Sequence, residues 1–318
     1  MSRTRITVFI SILVASLCVT NLVLYEALAQ IFSITVGWQL VVLGIVLAVL
    51  SMSFIASRIF DGRYYNWLTR LYSLITSVWM GFFVYLFFAS CIYGVLAVAG
   101  IPDAAAIGVA LLICAFVASV YGILHSRNIQ VSNVDVALEN LPAQWVGRKI
   151  VWISDLHLGQ IYGSAFTRRV VDRIKSVPHD IIFIGGDLYD GTTAPDLSEL
   201  IAPLKELSAP HGVYYITGNH EEFGSSEKFI TAVKAAGIEV VQDRMIDVDG
   251  LQLIGVDYHT TSDTERFKKI LSDLSIDTQK ASVLMKHVPN DLEVARAAGI
   301  SLQISGHTHS SLRISSRM

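Results

Sequence analysis

The sequence predicts an N-terminal region of about four transmembrane helices followed by an α/β domain. Three observations carry that prediction. Charge is divided sharply along the 318 residues. Long apolar stretches fill residues 1–125, and from residue 126 onward short apolar runs alternate with amphipathic segments of helical spacing. Strands alternating with helices place helices on the faces of a sheet.

Residues 1–125 contain five basic side chains (Arg3, Arg5, Arg58, Arg63, Arg70) and three acidic ones (Glu26, Asp61, Asp103), a net of +2. The whole chain carries 24 basic and 27 acidic residues, so residues 126–318 hold 19 and 24, a net of −5. The boundary between the two regions is set at 125/126. A mildly acidic second region offers no footprint for nucleic acid.

Four stretches reach the roughly 20 apolar residues that a spanning helix needs. They run from about Ile6 to Leu28, from Trp38 to Ser57, within Leu71 to Val98, and from Ala104 to Leu124. The first, after "MSRTR", also resembles a secretory leader, but its length and the three spans that follow favour a membrane helix. Arg3 and Arg5 precede the first span, Arg58, Arg63 and Arg70 separate the second from the third, and Arg127 follows the fourth. The other two loops hold no Lys or Arg. The bias predicts a multi-pass cell-membrane protein with its N-terminus and its polar domain in the cytoplasm. Membrane lipid is thus an expected partner. No span carries a charge near its centre, which argues against a transporter.

The polar region opens with "IQVSNVDVAL", whose alternation predicts a strand. Strands are predicted at "KIVWISD", "DIIFIGGD", "GVYYITGNH", "IEVVQD", "LQLIGVD", "ASVLMKH" and "SLQISGH". Helices are predicted at "SAFTRRVVDRIKSV", "APDLSELIAPLKEL", "SEKFITAVKAAG", "DTERFKKILSDL" and "NDLEVARAAG".

Ligand-type side chains stand where five of these strands end. Asp155 and His157 follow the first, Asp187 the second, Asn219 and His220 the third, His287 the fourth, and His307 and His309 the fifth. In α/β sheets, ligands bind at the carboxyl ends of the strands. All three cysteines (Cys18, Cys91, Cys114) lie in the apolar region, so a metal here must use His, Asp, Glu or Asn. Two divalent cations held about 4 Å apart need one shared carboxylate and a ring of N and O donors. Neutral His and Asn fill the other positions without repelling an anionic phosphate. Such a donor set accepts Mn, Fe, Zn or Ni. His259 and Asp257 in "GVDYH" are candidates for lining a substrate pocket, whereas His125, His179 and His211 read as structural.

The ordered set "DLH", "GGD", "GNH", "KH" and "GHTH" resembles the calcineurin-like metallophosphoesterase family. The membrane segment ahead of it is similar to the family's membrane-associated bacterial branch. The resemblance implies a β-sandwich flanked by helices and two divalent metal ions. It implies Asp155, His157 and His309 on the first ion, Asn219, His287 and His307 on the second, and Asp187 bridging both. A hydroxide between the ions would attack phosphorus, and His220 would steady the phosphoryl oxygens or protonate the leaving group. The activity implied is hydrolysis of a phosphate ester or pyrophosphate, in a phosphorylated small molecule or a lipid-linked substrate. The alternative is a non-catalytic metal-bound sensor or recognition module on a membrane anchor. After "GHTH" relatives continue with Gly-Gly-Gln and further strands, whereas Ser310 and Ser311 follow here. The sandwich is therefore expected to be shortened at its C-terminus.

Overall fold

Long apolar runs bounded by short polar breaks form helices, because a chain in lipid must satisfy its backbone groups internally. A computed structural model describes residues 3–61, 64–191, 197–223 and 226–308. It divides into two units, Met1–Asn128 and Ile129–Met318. The first unit holds α1 (Arg3–Ile31), α2 (Gly37–Asp61), α3 (Trp67–Val98) and α4 (Ala104–His125). Each contains a stretch long and apolar enough to cross a membrane, of 21, 24, 32 and 22 residues in turn. At about 1.5 Å per residue, even the shortest matches a hydrocarbon core of about 30 Å.

Asn66 starts α3 with a capping box. Its side chain accepts from the N–H groups of Leu68 and Thr69, and Thr69 Oγ1 accepts from Asn66 N at 3.1 Å. Leu17, Leu24, Leu47 and Phe83 meet in one buried cluster, and Ala27, Ile31 and Tyr93 in another. Between helices in lipid, packing and interhelical hydrogen bonds supply the cohesion. Ser51 Oγ donates to Asn21 Oδ1 at 3.0 Å and joins α2 to α1. Gly108 lets α4 approach closely: a Cβ there would lie 2.7 Å from Ile31 and 2.8 Å from Tyr93.

The second unit is a sandwich of two four-stranded sheets. In the first, β1 (Ile150–Ile153), β2 (Ile181–Ile184), β3 (Val213–Tyr215) and β4 (Glu239–Val240) are parallel neighbours. α5 (Ser164–Lys175), α6 (Leu197–Ile201) and α7 (Ser226–Ala235) connect them. In the second, β5 (Arg244–Val248) pairs antiparallel with β6 (Leu251–Gly255), which runs parallel to β7 (Ser282–Met285) and β8 (Leu302–Ile304). α8 (Tyr258–Thr261), α9 (Thr264–Asp273) and α10 (Leu292–Ala297) complete the unit.

Strand alternation assigns the core. Ile150, Trp152, Ile181, Phe183 and Tyr214 face Leu251, Leu253, Val283 and Met285 between the sheets. Val151, Ile153, Ile182, Ile184 and Tyr215 point the other way and pack on Val170, Val171, Ile174, Phe229 and Val233 of the helices. Ile254 and Leu284 pack on Phe267, Leu271 and Ala295. A period of two puts successive side chains on opposite faces, and both faces here are covered.

Several segments depart from the sequence prediction. "IQVSNVDVAL" forms no named strand. Its alternation serves packing, with Ile129 and Val131 on the outer core and Leu138 on the inter-sheet core. Of the helix predicted at "APDLSELIAPLKEL", residues 194–196 lie outside the described residues, and after α6 the rest turns into a 3-10 helix at Ala202–Glu206, where Pro203 has no N–H to continue an α-helix. β5 was not predicted. It closes a hairpin with β6 through Asp249 (φ 49) and Gly250 (φ 85), the positive-φ pair of a type I′ turn.

Candidate metal centre

β1, β2 and β3 of one sheet, and β7 and β8 of the other, all end at the same edge. Parallel strands in register bring the residues that follow them together. Asp155 N donates to Gly186 O and His157 N to Asp187 O, each at 3.0 Å, which stitches the loop after β1 to the loop after β2. Asp155 (φ 57), His157 (φ 45), Asp187 (φ 48) and His307 (φ 68) all take left-handed backbone. That conformation is costly for residues with a Cβ and persists where surrounding structure over-determines it, typically at functional sites.

Asp187 lies at the centre and is 1% exposed. Its Oδ1 accepts from His220 N at 2.8 Å. Its Oδ2 lies 3.2 Å from His287 Nε2 and 3.9 Å from His157 Nε2. One oxygen is thus held by the backbone, and the other faces imidazoles on two sides. Among the described residues, two groups offer ligand atoms within 4.8 Å of one another: His157, Asp187 and His220, and Asp187, His287 and His307. Asp187 belongs to both.

The His287 ring tests whether a cation fits. Nδ1 lies 2.8 Å from Gly185 O, and since a carbonyl only accepts, Nδ1 donates. Nε2 then faces Asp187 Oδ2 and Asn219 Oδ1, each at 3.2 Å, and His307 Nδ1 at 3.3 Å. A neutral ring would point its Nε2 lone pair at the oxygen lone pairs of Asp187 and Asn219. A proton or a metal cation at Nε2 resolves the conflict, so the donor set fits a divalent ion. The electrostatics agree. Burial pushes the His287 pKa down, but the bond to Asp187 and its charge outweigh burial and raise it. Burial likewise pushes Asp187 up, and His287 with the His220 N–H brings it below the ordinary carboxylate value.

Of the residues expected on the second ion, Asn219, His287 and His307 come together with Asp187. Of those expected on the first, His157 reaches Asp187, whereas the Asp155 carboxylate receives His307 N at 3.1 Å from both oxygens. His309 lies outside the described residues. His220 sits edge-on to His157, with ring centroids 4.4 Å apart. Its Nδ1 donates to Asp190 O at 3.0 Å, which orients Nε2 for the site. His259 is exposed beside Arg266, and Asp257 caps α8 by accepting from His259 N at 2.8 Å. Both influence the Glu222 carboxyl, which burial and then Asp257 push up and His259 pulls down. His179 bonds Val177 O and Ser208 O, and His211 packs 4.5 Å from the Trp145 ring, both within the scaffold.

Two buried charged residues escaped the sequence reading. Glu221 is fully buried, its carboxylate bonded to backbone N–H groups. Burial raises its pKa against those bonds. Lys286 is also fully buried. It donates to Asn290 O at 2.7 Å and pairs with Asp291 at 3.2 Å, bracing the loop that begins at His287. The signal in each case was a charged residue adjoining a ligand, in "GNHE" and "KH". Direction of the side chain was not in the sequence.

The model of the calcineurin-like phosphoesterase family matches residues 148–311. An uncharacterized metallophosphoesterase of Helicobacter pylori (strain J99) is 27% identical over 51% of this chain and 44% of its own. A transmembrane protein with metallophosphoesterase domain from Danio rerio is 27% identical over 86% of this chain and 67% of its own. The Bos taurus protein of the same description is 30% identical over 61% of this chain and 47% of its own. The chain thus spans less than half the length of the Helicobacter and Bos taurus relatives.

Proposed function

Because the chain belongs to the calcineurin-like phosphoesterase family, we propose that it is a membrane-anchored, dinuclear metal-dependent phosphoesterase whose catalytic domain faces the cytoplasm. One observation carries the reading: Asp187 stands between two groups of imidazoles, with Oδ2 toward both. That is the arrangement a bridging carboxylate requires. Asp155, His157 and His309 are assigned to the first ion, and Asn219, His287 and His307 to the second. Bound there, two divalent cations of the Mn, Fe, Zn or Ni class supply charge neutralisation and a water of lowered pKa. His220, oriented by Asp190 O, presents Nε2 to a phosphoryl oxygen or hands a proton to the leaving group. Asp187 keeps His220 in place through its backbone N–H.

The substrate is a phosphate ester or pyrophosphate, in a small molecule or linked to lipid. An anchor confines the domain to the layer where a lipid-linked substrate resides. Orientation rests on the arginines at the cytoplasmic ends of the spans. Hydrolysis of bis(p-nitrophenyl) phosphate by the detergent-purified chain, compared with Asp187→Asn, tests the reading. The variant should lose at least a hundredfold in kcat/KM, and a variant equal to wild type sinks the proposal.

A further inference from the structure

The loops after β2 and β3 clamp each other through carboxylates. Glu221 Oε2 accepts from Asp187 N at 3.0 Å and from Gly218 N at 2.7 Å. Glu221 Oε1 accepts from Tyr189 N at 3.0 Å. In return, Asp187 Oδ1 accepts from His220 N at 2.8 Å. One fully buried side chain therefore ties together the segments that carry Asp187, Asn219 and His220. Bonds from N–H to an ionised oxygen are about twice as strong as neutral ones. Three of them are a strong reason for a carboxylate to stay in a site it would otherwise leave for water. Asp187 needs such a hold, because its left-handed backbone (φ 48) must be over-determined by neighbours.

We infer that Glu221 is a positioning residue: it sets the spacing of the two loops and thereby aims Asp187 Oδ2 at both groups of imidazoles. Both of its oxygens are engaged by backbone N–H groups, so it acts through Asp187, Asn219 and His220 and not as a ligand. The inference rests on the phosphoesterase reading above. A purely structural Glu221 would affect thermal stability alone. A positioning Glu221 affects the bound ions and the rate while leaving substrate contacts intact.

The test uses the full chain in detergent, with Mn²⁺ as the probe, well below the thermal midpoint of each variant. Glu221→Gln turns an NH₂ toward donors that need an acceptor, and Glu221→Asp withdraws the carboxylate by one methylene. Residues that orient metal ligands typically contribute 10- to 100-fold in affinity or activity. Both variants should bind Mn²⁺ about 10- to 100-fold more weakly by calorimetry and lose the exchange-coupled electron paramagnetic signal of a Mn pair. At saturating Mn²⁺, kcat should fall by a similar factor, with KM within about threefold of wild type. Wild-type Mn²⁺ affinity, signal and kcat in a variant that differs only in melting temperature overturn the inference. Failure of both variants to fold overturns it too, because Glu221 is then a fold element. A wild-type chain that binds none of Mn²⁺, Fe²⁺, Zn²⁺ and Ni²⁺ refutes the phosphoesterase reading itself, and that outcome is recognised without any variant.

Discussion

Gly218 stands where the loop after β3 crosses Asp187, and its missing side chain leaves room for the carboxylate. A Cβ on Gly218 would lie 2.2 Å from Asp187 Oδ1 and 2.4 Å from Asp187 N. Ordinary contact begins at 3.4 Å, so Gly218→Ala must drive the carboxylate back by the difference, 1.2 Å. The neighbour cannot yield as a flexible surface chain would, because Oδ1 holds His220 N and the Asp187 amide is held by Glu221. Misplacing a reacting constellation by about 1 Å costs on the order of a hundredfold in rate. Overpacking of this kind also costs about 1–3 kcal/mol of stability. The assay is steady-state hydrolysis of a chromogenic phosphodiester at saturating Mn²⁺, with Mn²⁺ content measured on the same sample. Gly218→Ala should keep its helical circular-dichroism signal, bind Mn²⁺ more weakly and fall about a hundredfold in kcat. A folded variant within twofold of wild type in both readouts would refute the tight fit drawn around Asp187.

Further predictions follow from burial and charge. Trp145 is fully buried and donates through Nε1 to Val248 O at 3.1 Å, so Trp145→Ala should cost about 3–5 kcal/mol in denaturant unfolding of the polar unit. Trp145→Phe, which keeps most of the packing, should cost much less; equal costs would show that packing does not hold this segment. Asp180 accepts from Lys149 N and Arg148, each at 2.8 Å. Burial raises its pKa, but these bonds outweigh that and lower it, so its stabilisation is present above the unfolded carboxylate value near 3.9 and is lost as pH falls through the folded value. The melting-temperature gap between wild type and Asp180→Asn should therefore be full at pH 7 and close in acid; a gap independent of pH contradicts this. Below the raised pKa of His287, an ion must displace a proton from the ring. Mn²⁺ affinity should fall as pH drops below that pKa, with proton uptake or release visible as a buffer-dependent binding enthalpy.

The strands that end in Asp155, Asp187, Asn219 and His287 were readable in the sequence. Each is a short, largely apolar run with a ligand-type side chain two to four residues beyond its end, a pattern that reports burial and the position of the sheet edge together. The four long apolar helices were readable for the same reason, since length and lack of charge are the physical requirement for crossing a bilayer. β5 was not, because "RMIDV" is largely exposed or half-buried and lacks the apolar run. The Asp249-Gly250 turn was its one local sign. Nor was the absence of a named strand over residues 129–138, whose apolar side chains pack on two separate cores. Glu221 and Lys286 were missed because the ordinary place of a charge is the surface. Only the convergence of backbone N–H groups on one, and of Asn290 and Asp291 on the other, makes burial tolerable.

The most direct test of the proposed dinuclear centre is a Mn²⁺ titration of the metal-stripped, detergent-purified chain, following bound ions and phosphodiester hydrolysis together. Two ions per chain, with turnover that rises as the second binds and vanishes in EDTA, is the predicted result. Turnover that survives EDTA, or a chain that binds no Mn²⁺ through the site around Asp187, would contradict it.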